Sequence, residues 1–201
     1  MSKTMKENEL LKFIDDYLAR NNEINLIIAG STCSGKTTLT KKIIDTYKDV
    51  STIPQDAYFK NLQQIPTSRI GRLYDSVNAF LIDEYQKDVT NMCKGKTVYI
   101  PDYEVVTNTQ KERYAFERKK KKINIFEGLH TITLLDSIQP SVKVFVNTPR
   151  HICLDRRIKR DCAKYPVDGE FVYRFWSENI WPLTELYVLP QKDKADIIIE
   201  E

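Results

Sequence analysis

With 201 residues, 41% of them hydrophobic and 29% charged, the chain is long enough to bury a core and too apolar for a disordered segment. A formal net charge of +3 is too small to mark a nucleic-acid binder, and no run approaches the roughly 20 apolar residues of a membrane span. The four cysteines, Cys33, Cys93, Cys153 and Cys162, show no C-x-x-C spacing, which fits reduced thiols.

The opening stretch MSKTMKENELLKFIDDYLAR lacks the apolar centre of a signal peptide, so a cytoplasmic location is expected. Residues 7–20 place Leu10, Leu11, Phe13, Ile14, Tyr17 and Leu18 at helical spacing, and Asn21-Asn22 ends that helix. The apolar run INLIIAG (24–30) predicts a buried strand. From Lys36 to Tyr47 the helical pattern returns, with Leu39, Ile43, Ile44 and Tyr47 on one face. STIPQD (51–56) predicts a second strand, and residues 75–93 another amphipathic helix ended by Gly95. In segment 97–120 two β-rich stretches flank a polar turn, which suggests a hairpin standing off the main sheet. INIFEG (123–128) and VKVFVNT (142–148) are further buried strands, the second followed by a strongly basic helix, 149–163. Residues 170–189 have helical character, and ADIIIE (195–200) is a last strand. The alternation of strands and helices predicts an α/β fold with a mainly parallel sheet in one domain over residues 1–201. The run Glu117-Arg118-Lys119-Lys120-Lys121-Lys122 lacks interleaved aromatics, so a solvated approach to the next strand is expected, not a nucleic-acid patch.

Gly30-Ser31-Thr32-Cys33-Ser34-Gly35-Lys36-Thr37 fits the phosphate-binding pattern G-x-x-x-x-G-K-[ST] at every fixed position. Gly30 and Gly35 let the backbone curl so that successive N–H groups face the phosphates, where a Cβ would obstruct them. The following helix, which begins Lys36-Thr37-Thr38, adds the positive end of its dipole. Lys36 is placed to reach the β/γ oxygens and Thr37 to bind Mg²⁺. ATP or GTP with Mg²⁺ is therefore the expected ligand. Such a loop also serves ATPases, GTPases and non-catalytic sensors, so the acceptor side must decide the chemistry.

Asp56 follows the second predicted strand, and Glu127 ends the strand INIFEG. Ligands of doubly wound sheets gather at the carboxyl ends of strands. An Asp there can take the proton of an attacking hydroxyl, and a Glu there can hold Mg²⁺ directly or through water. Thr37, Glu127 and Asp56 are the candidate metal-site residues. No N-K-x-D guanine-reading motif supports a GTPase.

These motifs, with QDAYFKN (55–61), YDSVNAF (74–80), IPDYEVVTNT (100–109), IFEG (125–128), FVNTPRHICLDRRIKRD (145–161) and ADIII (195–199), resemble the uridine kinase (uridine/cytidine kinase) branch of the P-loop nucleoside kinases over residues 24–200. The resemblance implies a P-loop sheet flanked by helices, a β-hairpin insertion (97–120) at the acceptor site and a helical lid at about 153–170. It implies Asp56 as catalytic base for the ribose 5′-hydroxyl and Asp75 as the acid that holds the 2′- and 3′-hydroxyls. Tyr103 is expected beside the base, with Tyr58 or Phe59 against the nucleoside. Arg156, Arg157 and Arg160 fall in the lid, where arginines neutralise the triphosphate and the moving phosphoryl group. A homo-oligomer is also implied. Three positions depart from the family pattern: Asn108 replaces a hairpin histidine, Lys164-Tyr165-Pro166-Val167-Asp168 replaces a Gly-Arg lid turn, and Ser76-Val77 replaces His-Pro. All lie on the acceptor side. The stretch Gly169 to Tyr187 resembles nicotinamide riboside kinases more weakly, which keeps another ribosyl acceptor open. A nucleotide-binding regulatory module without catalysis is the alternative from a different class, and Asp56, Glu127 and the lid arginines argue against it.

Overall fold

The computed structural model describes residues 2–104 and 109–200. The main sheet is built from β1 (Lys3–Met5), β2 (Ile24–Gly30), β3 (Val50–Pro54), β6 (Ile123–Gly128), β7 (Val142–Asn147) and β8 (Ile197–Glu200). β4 (Val98–Glu104) and β5 (Thr109–Arg118) form a separate antiparallel hairpin. The six strands are all parallel, in the order β1-β8-β7-β2-β6-β3. β2 lies between β6 and β7, and every one of its residues is buried, as a parallel strand covered on both faces requires.

The helices are α1 (Glu7–Leu18), α2 (Lys36–Thr46), α3 (Ile82–Cys93), α4 (Thr131–Leu134), α5 (Arg150–Lys164) and α6 (Gly169–Phe175). Side chains alternate across the pleat, so neighbouring β2 residues serve opposite cores. Leu26 and Ile28 pack with Leu10, Ile14, Leu39 and Ile43 of α1 and α2. Ile27 and Ala29 share the other core with Tyr58, Phe80, Tyr85, Val89 and Met92. Among the described residues no helix is long and apolar enough to cross a membrane.

Three elements differ from expectation. β1 replaces what carried no strand pattern, because three residues pair with β8 through the register Met5↔Ile199. The helix expected from residue 75 starts at Ile82: Ser76 instead caps a short turn, Val77–Ala79, and Phe80 bridges to Phe59. Beyond α6 the chain stays helical to Lys194, but through wide π-type turns at Trp176–Ile180 and Thr184–Val188. The basic run behaves as a solvated approach: Lys119 pairs with Glu117, Lys120 with Glu23 and Lys121 with Asp49. At the base of the hairpin, Arg118 Nε donates to the Thr52 carbonyl of β3 at 2.9 Å.

The amino ends of β2 and β6 are tied by a buried polar clamp. Asn124 donates to Asn25 Oδ1 at 3.1 Å, and Asn25 donates to the Pro140 carbonyl at 2.9 Å. The carboxyl ends of the same strands open into loops, and the site is built there.

Candidate active site

β2 delivers its last residue, Gly30, into a loop that turns back under α2. A Cβ on Gly30 would lie 2.6 Å from the Val146 carbonyl, so no larger residue fits so close to β7. Gly35 caps α2 at φ +99°, in the left-handed region open to glycine. Between them Lys36 Nζ donates to the Ser31 carbonyl at 2.8 Å, and Thr148 Oγ1 donates to the Ser34 carbonyl at 2.8 Å.

Two cavities meet at this loop. One, of about 910 Å³, is lined by Ser34, Gly35, Thr38, Arg156 and Arg160. The other, of about 640 Å³, is lined by Asp56, Phe59, Asp75, Tyr103, Glu127 and Arg157. Cys33, Lys36, Thr37 and Arg160 belong to both. A phosphate held by Lys36 therefore faces both cavities.

The charged groups at the junction act on one another. Burial pushes the Lys36 ammonium below its ordinary pKa, against the pull of Glu127 and Asp56. Asp56 stands in the turn Gln55–Tyr58 after β3; its side chain is open to solvent along the second cavity, whose walls crowd it on the other sides. Burial raises its pKa, and Lys36 opposes the rise. Burial likewise raises Glu127, again opposed by Lys36. Thr37 Oγ1 is 3.2 and 3.3 Å from the two Glu127 oxygens. Among the described residues no group of three or more His, Cys, Asp or Glu is arranged to hold a metal alone. A hydroxyl, one carboxylate and phosphate oxygens are the hard donors Mg²⁺ takes at phosphate sites, so the residues present fit that ion.

The acceptor-side cavity is aromatic. Phe59 stacks on Phe80 at 4.3 Å between ring centres and meets Tyr103 at 5.3 Å and Tyr74 at 6.0 Å. Two polar atoms in this cavity's wall, Asp75 Oδ2 and the Tyr103 hydroxyl, are buried without a partner among the described residues. Buried orphans of this kind at a cavity wall call for a ligand or water. His130 steadies Asp75 from behind: its Nε2 is 3.0 Å from the Asp75 carbonyl, and its backbone N–H donates to Gln55 Oε1 at 3.0 Å. Burial pushes the His130 pKa down, which suits this packing role.

Two expected residues sit elsewhere. Tyr58 does not face the second cavity. It is fully buried in the core, its hydroxyl donating to Asp88 at 2.8 Å and its ring edge-on to Tyr85, because the turn after β3 sends Tyr58 inward and Phe59 outward. Arg157 does not line the first cavity with Arg156 and Arg160. It turns to the acceptor cavity, bonding Thr32 Oγ1 at 3.0 Å, Asp75 Oδ1 at 3.4 Å and Asp161 Oδ2 at 2.9 Å. Gly30 and Ser31, the first residues of the loop, line neither cavity. Asn108 lies outside the described residues. The wall also contains four aromatics that no sequence motif marks as site residues: Tyr74, Tyr165, Phe171 and Phe175. Phe171 and Phe175, four apart on α6 and stacked with 6.2 Å between ring centres, form an aromatic stripe that could have been noticed.

The Phosphoribulokinase / Uridine kinase family pattern matches residues 26–201. A protein named Uridine kinase from Staphylococcus epidermidis is 32% identical over 188 residues, 90% of this chain and 89% of its own. Uridine kinase from Clostridium novyi is 31% identical over 183 residues, covering 87% and 85%. Among solved structures, phosphoribulokinase from Rhodobacter spheroides superposes with a TM-score of 0.60 at 16% identity, over 89% of this chain and 70% of that one. D-glycerate 3-kinase from Cryptococcus neoformans gives 0.60 at 12% identity, over 96% and 95%. At such identities the structures speak for the fold alone, whereas the sequence match extends from the centre of β2 through β8. The phosphate loop, the turn carrying Asp56 and the arginine helix thus fall inside one shared pattern, and this chain belongs to the phosphoribulokinase/uridine kinase family.

Proposed function

We propose that the protein transfers the γ-phosphate of ATP or GTP to the 5′-hydroxyl of a nucleoside, with uridine or cytidine as acceptor. The observation that carries this reading is the meeting of two cavities at Lys36, Thr37 and Arg160, one walled by the phosphate loop and the other by the carboxylates of Asp56, Asp75, Glu127 and Asp161 with a group of aromatics. The relatives named Uridine kinase support the choice of acceptor.

The donor's terminal phosphate lies at the junction, with Lys36, Arg156 and Arg160 around its oxygens. Charge spreads over those oxygens in the transition state, and fixed cations in a low-dielectric cleft stabilise it without reorganising. The acceptor enters from the aromatic cavity. Its ribose hydroxyls donate to Asp75 and its flat ring lies among Phe59, Tyr74 and Tyr103. Asp56 takes the proton of the attacking hydroxyl as the new oxygen–phosphorus bond forms, while the bond from phosphorus to the bridging oxygen breaks and its electrons leave on that oxygen of the nucleoside diphosphate. Thr37 and Glu127 would hold Mg²⁺, which when bound supplies further neutralisation of phosphate charge.

The test is initial-rate measurement with ATP and with GTP across uridine, cytidine, nicotinamide riboside and adenosine. Turnover with uridine or cytidine is the expected result; formation of no phosphorylated product from any of them would overturn the proposal. The aromatic lining favours a second reading, in which nicotinamide riboside wins, since stacking accepts any flat ring.

A further inference from the structure

The family pattern begins at residue 26, so β1 and α1 lie outside it. Their position is not remote from the chemistry. β1 adds to the sheet in parallel beside β8, with Met5 level with Ile199. All six strands point the same way, so the end of β1 emerges on the same margin of the sheet as the phosphate loop. The residues that follow Met5, namely Lys6, Glu7 and Asn8, line the cavity that also holds Ser34, Thr38 and Arg156.

The direction of a bound donor follows from the two cavities. Transfer requires its terminal phosphate at the shared wall of Lys36, Thr37 and Arg160. The acceptor needs the second cavity, so the rest of the donor must run out through the first. At about 910 Å³ that cavity exceeds what a phosphate chain fills, and its lining includes the junction of β1 and α1. We propose that this junction, through Lys6 and Asn8, forms the subsite that takes the ribose and base of the donor nucleotide.

The polar chemistry there is defined. Lys42 of α2 donates to Asn8 Oδ1 at 2.8 Å and to Glu7 Oε2 at 3.1 Å. With its oxygen engaged, Asn8 has its amide NH₂ to offer a ligand. Lys6 Nζ is 3.5 Å from the Glu200 carbonyl, at the long limit of a hydrogen bond, and is the second available donor. Two donors match ribose oxygens and the ring nitrogens or carbonyls of a base. Val146 and Ile199, which also line the cavity, supply apolar surface for the base to lie on. The backbone N–H of Lys6 donates to Glu9 Oε2 at 2.6 Å, which holds the start of α1 independently of either side chain. This subsite rests on the donor reading above and makes it specific to the nucleoside half.

Titration calorimetry with the full chain, in the presence of Mg²⁺, tests it with three ligands: ADP, GDP and pyrophosphate. The unaltered protein should bind one of the two nucleotides more tightly than pyrophosphate. In a Lys6→Ala/Asn8→Ala variant that nucleotide should weaken about tenfold, the loss of one to two hydrogen bonds, while pyrophosphate stays within about twofold. Both side chains are exposed, and unchanged thermal unfolding verifies the fold. Lys36→Met should weaken pyrophosphate and nucleotide alike. Nucleotide binding retained by the double variant would overturn the inference, as would equal weakening of nucleotide and pyrophosphate. Failure of the unaltered protein to bind any of the three would instead overturn the donor site itself, and the subsite with it.

Discussion

Replacing Asp75 separates acceptor recognition from chemistry. Asp75 is buried, its Oδ1 lies 3.4 Å from Arg157, and its Oδ2 has no partner among the described residues. A ligand hydroxyl that donates to Oδ2 makes a hydrogen bond to a charged group, worth ~1.5–3 kcal/mol. That corresponds to roughly 10–150-fold in affinity, the rise in acceptor KM expected for Asp75→Ala. Asp75→Asn keeps the shape but leaves a neutral bond worth ~0.5–1.5 kcal/mol, so its KM should rise by about tenfold. Arg157 retains Thr32 and Asp161 in either variant, so the lost contact to Asp75 Oδ1 should lower the unliganded protein's Tm only slightly. The assay is steady-state kinetics with uridine and with its 2′-deoxy analogue. The unaltered enzyme should prefer the ribose form because the deoxy form leaves Oδ2 unmatched, and both variants should lose most of that preference. An undiminished ribose preference in Asp75→Ala would refute the assignment.

Asp56→Asn should lower kcat by ~10²–10⁴-fold with a much smaller change in acceptor affinity, because an amide cannot take the proton. In the unaltered enzyme kcat/KM should fall as pH drops through the Asp56 pKa. Burial holds that pKa above the ordinary carboxylate range, so the acid limb should begin at a higher pH than for an exposed aspartate and be absent from the residual activity of Asp56→Asn. Lys36→Met should cut turnover by ~10²–10³-fold or more without unfolding the protein. Asn124→Ala should destabilise the fold by ~1–3 kcal/mol, read as a lower denaturant midpoint at constant m, because Asn25 Oδ1 and the Lys121 N–H lose their buried partner.

Much of this arrangement is legible in the chain. INLIIAG and VKVFVN announce themselves because a strand buried on both faces must be apolar throughout, and the phosphate loop because its backbone geometry needs glycine at fixed places. β1 is not legible: Lys-Thr-Met has no pattern, and its extended form comes from pairing with β8, almost two hundred residues away. The choice between Tyr58 and Phe59 is decided by one tight turn, which period-two or helical spacing does not describe. The arginines of α5 were separable in principle. Arg156 and Arg160 are four apart and share a face, whereas Arg157 is rotated by about 100° and shares its face with Asp161. What spacing could not supply is that the second face looks onto Asp75, a contact made by a loop distant in sequence.

Parallel sheets end in strands with unpaired backbone groups, which invite other chains to add on. Here each border is blunted differently. One is β1, only three residues long, with Lys3 and Thr4 exposed. The other is β3, which ends in Pro54, a residue with no N–H to offer, and whose Thr52 carbonyl is already taken by Arg118. The arginine that roots the hairpin therefore also occupies a backbone acceptor on this border of the sheet. Shortening the hairpin would leave the Thr52 carbonyl open at the edge of the sheet.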